Sequence, residues 1–561
     1  MQSYSQASVE PKQNSYFFNY SGFLQDHWRA TQHLSLDIGL RLEHITPWGD
    51  AHNIGVPVFD AVSYTSGVNP SQPGFLWHGI DKSIPVTGRP TRWAFVEPRV
   101  GFAWDTYGTG DTVLRGGFGI YRSHDGVGNA LVGYTTANVN GPIMLSSISS
   151  QASVVTANSG FVPDSSFEGV SRTDDEEPQT YTWDLVVDQK VLHNGILEIA
   201  YVGNHSNHIY NNGSTGNVGL NDINALPIGT LYGALPANTR FPGEAGTIYP
   251  IITPKGAAGS NTAVENLDQA HIDAFKKYPL YDHLRVDQHN IYANYNGLQV
   301  SLNKQQGKFL YGINYTWSHA LGVLGGFENG SPADPFNYRN DYNSLSYDRR
   351  HIFSANYSYS VGSPVRDKLI GLVTNGWEIS GITQLQSGPN LPSFTSSNFG
   401  TTGTLTLPQG SLGVSNVNML GTQDVALQPR LLCNPADVTQ AHEYVNSACF
   451  GLPLTPGVNG AYRFPFLPGP AFFQTDLTAA KTFKVAEGQS VQLRVAAFNF
   501  INHANPSFSA VNQNAYNLNF SNSGGSLGSA LATAASQNPG FGITRLKEGR
   551  RIVELALRYD F

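Results

Sequence analysis

Residues 551–561 read RIVELALRYDF, and the apolar residues of this stretch recur at every second position. Because successive side chains of a β-strand point to opposite faces, the alternation predicts a strand with one apolar face and one charged face. The apolar face holds Val553, Leu555, Leu557, Tyr559 and Phe561. Chain ends are usually frayed, so a pattern this regular indicates that the terminus itself belongs to a sheet.

The same alternation recurs along the whole chain. In HLSLDIGLRLEHI (residues 33–45) and FLYGINYTWSHAL (residues 309–321), apolar residues alternate with polar residues or glycine. Ten residues of such alternation are about one bilayer crossing by a tilted strand. We count about thirteen such strands, most of them in pairs joined by a short polar turn.

Long connections rich in Gly, Ser, Asn and Pro separate the pairs. They cover roughly residues 46–92, 122–178, 205–293, 322–347, 389–470 and 504–548. This asymmetry predicts an all-β fold, an antiparallel transmembrane β-barrel of the outer membrane with short periplasmic turns and long extracellular loops. If the first strand runs toward the periplasm, so does every odd strand, and the thirteenth ends at Phe561 on the periplasmic side.

Composition supports a barrel over other membrane or nucleic-acid-binding classes. Charged residues are 13% of the chain, aromatic residues are 12%, and there are 59 glycines. No apolar run approaches the roughly 18 residues of a membrane helix, although alternating barrel strands would escape that test. A net charge of -8 and the lack of a long basic run argue against nucleic acid as a partner.

The beginning of the chain, MQSYSQASVEPKQNS, has no basic segment followed by an apolar one, so no signal peptide is visible. Bacterial single-chain barrels have an even number of strands. An odd count means either that one strand is miscounted or, more simply, that front strands are missing. We expect residues 1–14 to be disordered or the start of a loop, and residues 15–561 to form the barrel.

The only two cysteines, Cys433 and Cys449, lie sixteen positions apart, without a CxxC motif or a histidine cluster that would indicate zinc. A disulfide within one loop is the favoured interpretation and fits an oxidising compartment. Two unrelated free thiols are the alternative.

Six blocks of the sequence resemble the C-terminal barrel of the Oar-like TonB-dependent transporters. The blocks are FLQDHWRATQHLSLDIGLRLEH, EPRVGFAWDTYGTGDTVLRGGFGIYR, PQTYTWDLVVDQKVLHNGILEIAYVGNHSNH, YNGLQVSLNKQQGKFLYGINYTWSHAL, SLSYDRRHIFSANYSYSVG and RLKEGRRIVELALRYDF. They occur in the order of that family and extend along most of the chain.

The resemblance implies a twenty-two-stranded outer-membrane barrel with an N-terminal plug that is pulled by TonB, which drives uptake of a bound solute. We expect the plug to be absent here, because nothing before residue 15 could form a plug, a TonB box or a regulatory-like domain. The chain then resembles the last thirteen or so strands. The implied partners are outer-membrane lipid, a small-molecule or glycan cargo such as a siderophore or a carbohydrate, and the TonB complex only if a plug is present.

The resemblance also gives the terminal strand a role. Leu555, Leu557, Tyr559 and Phe561 resemble the C-terminal signal that the barrel assembly machinery reads. These side chains also fit a purely lipid-facing role, and the two roles are compatible.

Polar residues concentrate in DPFNYRNDYNSLSYDRRH, residues 334–351. Carboxylates and amides suit a hard cation such as calcium, but acidic and basic groups in a barrel lumen usually pair with one another, which we favour. The lumenal polar cluster is Asp341, Asp348, Arg349 and Arg350.

The enzyme motifs are weak, and we expect no enzyme activity and no cofactor. GGSLG at residues 524–528 matches the nucleophile elbow G-x-S-x-G around Ser526, but it lies in a small-residue loop without the strand and helix that this motif needs. No HExxH, P-loop or EF-hand sequence occurs.

The aromatic residues near strand ends favour interfacial girdles over sugar stacking. They include Trp28, Tyr315, Trp317, Tyr357 and Tyr359. Aromatic residues in the loop segments YPLYDH and FLWHG are better candidates for cargo contact.

Three functions therefore stand at this point. The first is an outer-membrane TonB-dependent receptor for an unidentified solute. The second is an adhesin or passive pore of the same architecture. The third is a soluble secreted carbohydrate-active β-protein, whose apolar strand faces would pack together as a core instead of facing lipid.

Overall fold

The structure of the protein is a computed structural model. It describes residues 4–6, 14–66, 72–126, 143–145, 165–191, 194–211, 214–215, 218–219, 221–237, 240–253, 263–323, 334–345, 347–389, 401–438, 442–461, 468–507, 518–523, 525–536, 538, 540–544 and 546–561. Most of residues 1–14, which we expected to be disordered or to start a loop, lie outside these ranges.

Thirteen long strands form one antiparallel sheet, as the alternation predicted. They are β1 (Asn19–Arg29), β2 (Leu34–Ile45), β3 (Phe95–Asp105), β4 (Thr112–Arg122), β5 (Gln179–Val191), β6 (Gly195–Asn211), β7 (Tyr281–Lys304), β8 (Phe309–Val323), β9 (His351–Ser360), β10 (Trp377–Gln386), β11 (Phe472–Ala486), β12 (Gln489–Phe498) and β13 (Ile552–Asp560). Each strand pairs with the next one along the chain. This meander is the strand order of an up-and-down barrel wall.

The pairing register divides the sheet into an apolar and a polar face. Since directly paired residues share a face, a row can be followed from strand to strand. One row is Leu34, Trp104, Leu114, Val187, Ile199, Val300, Tyr315, Phe353, Leu385 and Phe473. A row on the opposite face is Asp188, Glu198, Ser301, Asn314, Ser354, Gln384 and Gln474.

The apolar face is not packed into a protein core. Ile199 is 41% exposed and Leu385 is 42% exposed, although both lie in the apolar row. This is the exposure expected of residues that face lipid, and it contradicts the soluble alternative, in which these faces would bury each other.

Short turns and long loops lie at opposite ends of the strands. The turn between β11 and β12 leaves only residues 487–488 unpaired, whereas residues 212–280 separate β6 from β7. Asp560 pairs with Ser490, next to that short turn, so the C-terminus lies on the side of the short turns. This is the side on which an odd number of strands places Phe561 when the first strand runs toward the short turns.

The helices among the described residues are short, and most lie in the loops. They are α1 (Ala61–Ser66), α2 (Gln269–Ala274), α3 (Lys368–Thr374), α4 (Asn416–Leu420) and α5 (Leu527–Thr533), with 3₁₀ turns at Thr230–Tyr232, Val264–Asn266, Tyr338–Asn340 and Ser447–Cys449. Among the residues that the structure describes, no helix has the length and apolar character to cross a membrane.

The described residues outside the wall contain many short strands, two of them before β1 and the others in the loops. These are Tyr4–Gln6, Ser15–Tyr16, Gly49–Asp50, Val58–Phe59, Phe75–Leu76, Ile143–Leu145, Ser165–Val170, Ser214–Thr215, Val218–Gly219, Tyr342–Ser344, Thr401–Leu407, Gly410–Gly413, Arg430–Leu431, Phe450–Gly451, Asn505–Ser507, Leu518–Ser523, Ala535–Ser536 and Leu546–Glu548. The sequence did not predict them, because runs of two to seven residues carry too little alternation to be recognised.

Loops that are far apart in sequence share one six-stranded sheet. Within it, the strand Thr401–Leu407 runs parallel to Leu518–Ser523. Gly403 has a φ of +143°, and a Cβ there would lie 1.8 Å from the Phe520 carbonyl oxygen. The close approach of these two strands therefore requires glycine.

The main hydrophobic cores lie in the loops. We use the name loop assembly for the described parts of residues 46–94, 123–178, 212–280, 387–471 and 499–551, together with the end of β7 at residues 281–292. The largest core of this assembly contains Leu405, Leu407, Leu412, Met419, Leu420, Phe450, Leu452, Leu518, Phe520, Leu531 and Phe541. The loop assembly is therefore a packed body on the side of the long loops.

Candidate functional site

The loop assembly is the candidate functional site, because it is the most ordered feature outside the sheet. β7 contributes to it directly: the strand has 24 residues, whereas its neighbours β6 and β8 have 17 and 15. Its first part pairs in parallel with the loop strand Ser165–Val170. β7 therefore extends beyond the short strands of the wall and supports two loops.

Arg89 is the centre of a buried ionic cluster that joins two loops to β7. Its Nη2 lies 2.6 Å from Glu177 Oε1 and 3.4 Å from Asp125 Oδ2. Its Nη1 donates to the Glu176 carbonyl oxygen at 2.6 Å. Arg89 is only 5% exposed, so these contacts replace the water that its charge would otherwise need.

His289 of β7 completes this arginine cluster. Its Nε2 lies 2.8 Å from Asp125 Oδ2, and its Nδ1 lies 2.7 Å from Asp174 Oδ2. A neutral imidazole has only one N–H, whereas ionised carboxylates only accept hydrogen bonds, so two carboxylate partners suit the charged imidazolium. Burial tends to raise the pKa of Asp174, but the hydrogen bond from His289 Nδ1 contributes to a net lowering of that pKa.

Glu177 is the most perturbed acid of the arginine cluster. It is 1% exposed. Burial raises its pKa to about 7, although the charge of Arg89 acts in the opposite direction. This carboxyl therefore titrates near neutral pH.

A second polar cluster, the aspartate–histidine cluster, consists of Asp222, His283 and Asp424. His283 Nδ1 lies 2.5 Å from Asp222 Oδ2 and 3.7 Å from Asp424 Oδ1. All three residues are buried, with exposures of 7%, 4% and 1% in the order named. The cluster joins residues 212–280 and β7 to residues 387–471, and burial raises the pKa of Asp424 to about 6.

Lys276 lies beside the aspartate–histidine cluster. Its Nζ is 3.0 Å from Asp282 Oδ1, 3.4 Å from Asp273 Oδ1 and 4.0 Å from Asp424 Oδ2. Burial alone would lower the pKa of Lys276, but these carboxylates outweigh burial and raise it. Lys276 therefore stays charged and lies nearest Asp424 Oδ2, whereas His283 Nδ1 lies nearest Oδ1.

The predicted C-terminal signal residues face outward. Leu555 is 73% exposed, Leu557 74%, Tyr559 51% and Phe561 94%. Leu555 lies opposite Val495 and Leu557 opposite Leu493, so the exposed apolar face continues across β12 and β13. This placement fits both a lipid-facing role and an assembly signal, and the signal stays a prediction.

The predicted lumenal polar cluster lies where the loop before β9 meets the wall. Asp348 Oδ1 accepts from the Ala320 amide at 2.8 Å, and its Oδ2 lies 3.0 Å from His319 Nδ1. Arg350 Nη2 lies 3.1 Å from the other ring nitrogen of His319, and Arg349 Nη1 donates to the Asp348 carbonyl oxygen. Asp341 is buried, at 2% exposure. His319, which the sequence did not single out, links the acid to the base.

Two further predicted positions have defined structural roles. Cys433 and Cys449 form a disulfide in the structure, within the loop between β10 and β11. Ser526 caps α5, and its Oγ accepts a hydrogen bond from the Ser529 amide at 3.3 Å. Ser526 is therefore the N-cap of a short helix in the structure, and Gly524 of the same motif lies outside the described residues.

The aromatic residues divide into two groups. Trp28 and Trp317 are 54% and 51% exposed, and both lie toward the C-terminal ends of β1 and β8. Because β1 and β8 run in opposite directions, the two residues lie toward opposite ends of the wall, as expected of interfacial girdles. The tyrosines of YPLYDH, Tyr278 and Tyr281, are only 6% and 0% exposed and pack with Phe75 of FLWHG. These loop aromatics form a core of the loop assembly, so the expectation that they contact cargo is wrong for them.

Comparison with known proteins identifies the family. The family model described as "Outer membrane beta barrel domain" matches residues 1–548. The chain belongs to this outer-membrane β-barrel family. The barrel is therefore located in the cell outer membrane, with its apolar strand face toward lipid. No curated protein matches the sequence.

Solved structures with a similar arrangement of strands are distant in sequence. The barrel aligns with the ferric-catecholate import receptor Fiu of Escherichia coli K12 at 10% identity and a TM-score of 0.39, covering 97% of this chain and 45% of that one. The siderophore receptor PiuA of Acinetobacter baumannii is 9% identical, with a TM-score of 0.36, and the alignment covers 97% of this chain and 43% of PiuA. The FrpB iron transporter of Neisseria meningitidis is 8% identical, with a TM-score of 0.38, and the alignment covers 99% of this chain and 47% of FrpB. The barrel thus spans less than half the length of these three structures.

Proposed function

We propose that this barrel belongs to a TonB-dependent transporter that takes up a small-molecule or glycan solute across the outer membrane. Membership of the family supports the barrel fold and the location in the outer membrane. The resemblance of six sequence blocks to Oar-like transporters is the basis for proposing energised uptake, in which the TonB complex would act on a plug. The barrel assembly machinery would insert the protein by reading its last strand.

The observation that carries this proposal is the packed loop assembly. Loops from distant parts of the chain share hydrophobic cores and two buried ionic clusters on the extracellular side. A receptor has to present a fixed surface to a dilute solute, and loops held by a rigid scaffold provide one. A passive pore has no need of such a body.

Uptake in cells tests the proposal. Bacteria that express the protein from its native genomic locus are compared with and without functional TonB. The probes are a catecholate siderophore loaded with radioactive iron and a set of fluorescent oligosaccharides. We expect accumulation of at least one probe class to require TonB, and a Phe520→Ala variant to lose most of it.

Two results would overturn the proposal. Equal accumulation in cells without TonB would make the barrel a passive pore. Binding of cells to a surface without accumulation of any probe would make it an adhesin. A matched strain that carries Glu548→Gln, an exposed substitution, controls for expression of a variant.

A further inference from the structure

The aspartate–histidine cluster has the geometry of a metal site. One ligand atom from each of Asp222, His283 and Asp424 lies within 4.8 Å of the other two. A zinc ion with bonds of about 2.0–2.2 Å holds its ligand atoms about 3.3 Å apart. The contacts of His283, 2.5 Å to Asp222 and 3.7 Å to Asp424, lie on either side of that separation. Changes of less than about 1 Å would therefore bring both of these separations to the value that zinc requires.

Backbone amides fix the orientation of both carboxylates. Asp222 Oδ1 accepts from the amides of Asn224 at 2.9 Å and Leu284 at 3.0 Å. Asp424 Oδ2 accepts from the Leu226 amide at 2.7 Å. Each carboxylate thus uses one oxygen for the backbone and points the other toward His283. Such hydrogen bonds to the non-ligating oxygen are characteristic of preorganised metal ligands.

The inward oxygen of Asp424 is the second, independent observation. Asp424 is 1% exposed, and its Oδ1 has no hydrogen-bond partner among the described residues. A buried carboxylate oxygen without a hydrogen bond costs free energy unless a cation compensates it. Lys276 does not reach this oxygen, because its Nζ faces Oδ2 at 4.0 Å.

His283 also has the outer partner that metal-binding histidines usually have. Its Nε2 lies 3.4 Å from Asp282 Oδ1. Nδ1 donates a proton to Asp222 Oδ2 in this arrangement, so a metal would displace that proton, and the carboxylate at Nε2 would favour the tautomer with the proton on Nε2. Asp282 in turn accepts from Gln269 and Gln423 at 2.9 and 2.8 Å, so its position is fixed.

The arginine cluster provides the contrast. Asp125, Glu177 and His289 also bring ligand atoms within 4.8 Å of one another. There, however, the guanidinium of Arg89 contacts both carboxylates and lies 3.3 Å from His289 Nδ1. A protein cation already occupies the centre, so this cluster needs no metal.

We propose that Asp222, His283 and Asp424 bind one divalent metal ion of zinc type, which fastens the loop of residues 387–471 to residues 212–280 and β7. Two carboxylate oxygens and one imidazole nitrogen favour Zn²⁺ over Ca²⁺, which prefers oxygen ligands alone. A water molecule would complete the four-coordinate shell. The site goes beyond the proposed uptake function and would exist whether or not the barrel transports a solute.

Metal binding by the purified full chain in detergent micelles tests the proposal. The chain is equilibrated with Zn²⁺, freed of unbound metal, and analysed by mass spectrometry for metal content. We expect about one Zn²⁺ per chain, and at least a tenfold higher dissociation constant in both Asp424→Asn and His283→Gln. Asp437→Asn, in the same loop, and His271→Gln, which contacts Asp268 and Glu244, should bind like the wild type.

A measurement on the wild type covers the case in which a variant does not fold. Co²⁺ added to the wild-type chain should give visible absorption bands of a four-coordinate nitrogen–oxygen site, and Zn²⁺ should displace them. The proposal is wrong if the wild type binds no Zn²⁺ above the level of the folded Asp424→Asn variant, if it binds Ca²⁺ in preference to Zn²⁺, or if the Co²⁺ bands are missing.

Discussion

Glu177 shows how a single buried carboxyl makes the loop assembly sensitive to pH. Its pKa is raised from the usual 4.5 to about 7, mainly by burial, while Arg89 opposes the shift. Between these two values the folded protein retains a proton that the unfolded chain has already released. The free energy of unfolding therefore falls as the pH rises through this window.

We predict that the loop assembly loses up to about 3 kcal/mol of stability between roughly pH 4 and pH 8 through Glu177 alone. Glu177→Gln keeps the hydrogen bond from Arg89 but does not titrate, so its stability should change less with pH. Near-ultraviolet circular dichroism during thermal unfolding, at acidic and at slightly alkaline pH, measures the difference. Glu548→Gln, on the exposed surface, should keep the wild-type dependence, and equal slopes for Glu177→Gln and wild type would contradict the prediction.

The sequence predicted the individual strands, and the face on which each of their residues lies, better than any other part of the structure. Ile313 and Asn314 are neighbours near the middle of the wall part of β8 and point to opposite faces, with Ile313 between Leu302 and Ala355. Successive side chains of any β-strand point to opposite faces, so the sequence alone predicts that these two residues lie on different faces.

This pair gives a direct test of which face contacts lipid. Ile313→Arg should destabilise the barrel by about 2–4 kcal/mol, because it places a charge in the bilayer, whereas Asn314→Arg on the polar face should cost less than about 0.5 kcal/mol. Equilibrium unfolding by denaturant in lipid vesicles measures both values. Similar costs for the two variants would show that the faces are misassigned.

The last strand gives a prediction about assembly. Phe561→Ala should reduce the amount of folded barrel in the outer membrane several-fold, since Phe561 is 94% exposed and is the last residue of the apolar face that the assembly machinery would read. Gel migration of unheated outer-membrane samples, which distinguishes folded from unfolded barrels, measures the effect. Glu554→Ala, on the other face of β13, is the control and should fold at the wild-type level. If Phe561→Ala also gives the wild-type amount of folded barrel, Phe561 is not part of the assembly signal.

At the scale of the whole molecule, the wall and the loop assembly should unfold separately. Phe520 is 0% exposed in the largest loop core, whose members all belong to the loop assembly. Phe520→Ala should therefore cost the loop assembly about 3–5 kcal/mol and leave the wall intact. Hydrogen exchange should accelerate in residues 401–407 and 518–523 but not in β9, and Phe520→Leu should restore most of the protection. Uniform acceleration across both parts would mean that they unfold as one unit.

The parts of the molecule that the sequence could and could not predict differ in the range of their contacts. The strands of the wall pair with their sequence neighbours, so local alternation and turn residues were sufficient to place them. The arginine cluster joins Arg89 to Glu177 and His289, separated by 88 and 200 positions. No local signal marks such partners, and isolated acidic or basic residues in polar loops are common. The tyrosines of YPLYDH were misassigned for the same reason, because their burial depends on loops that lie far away in the chain.

The shared core of the loops also bears on how this protein can evolve. Surface loops usually diverge one at a time, since each meets mainly solvent. Here Leu405 and Phe520 come from loops separated by more than a hundred positions and are packed in one core. A change in the volume of one side chain has to be matched in another loop, as in any close-packed interior. Under pressure from antibodies or bacteriophages, we expect variation to accumulate at outward-facing positions, while the buried positions of different loops change together or not at all.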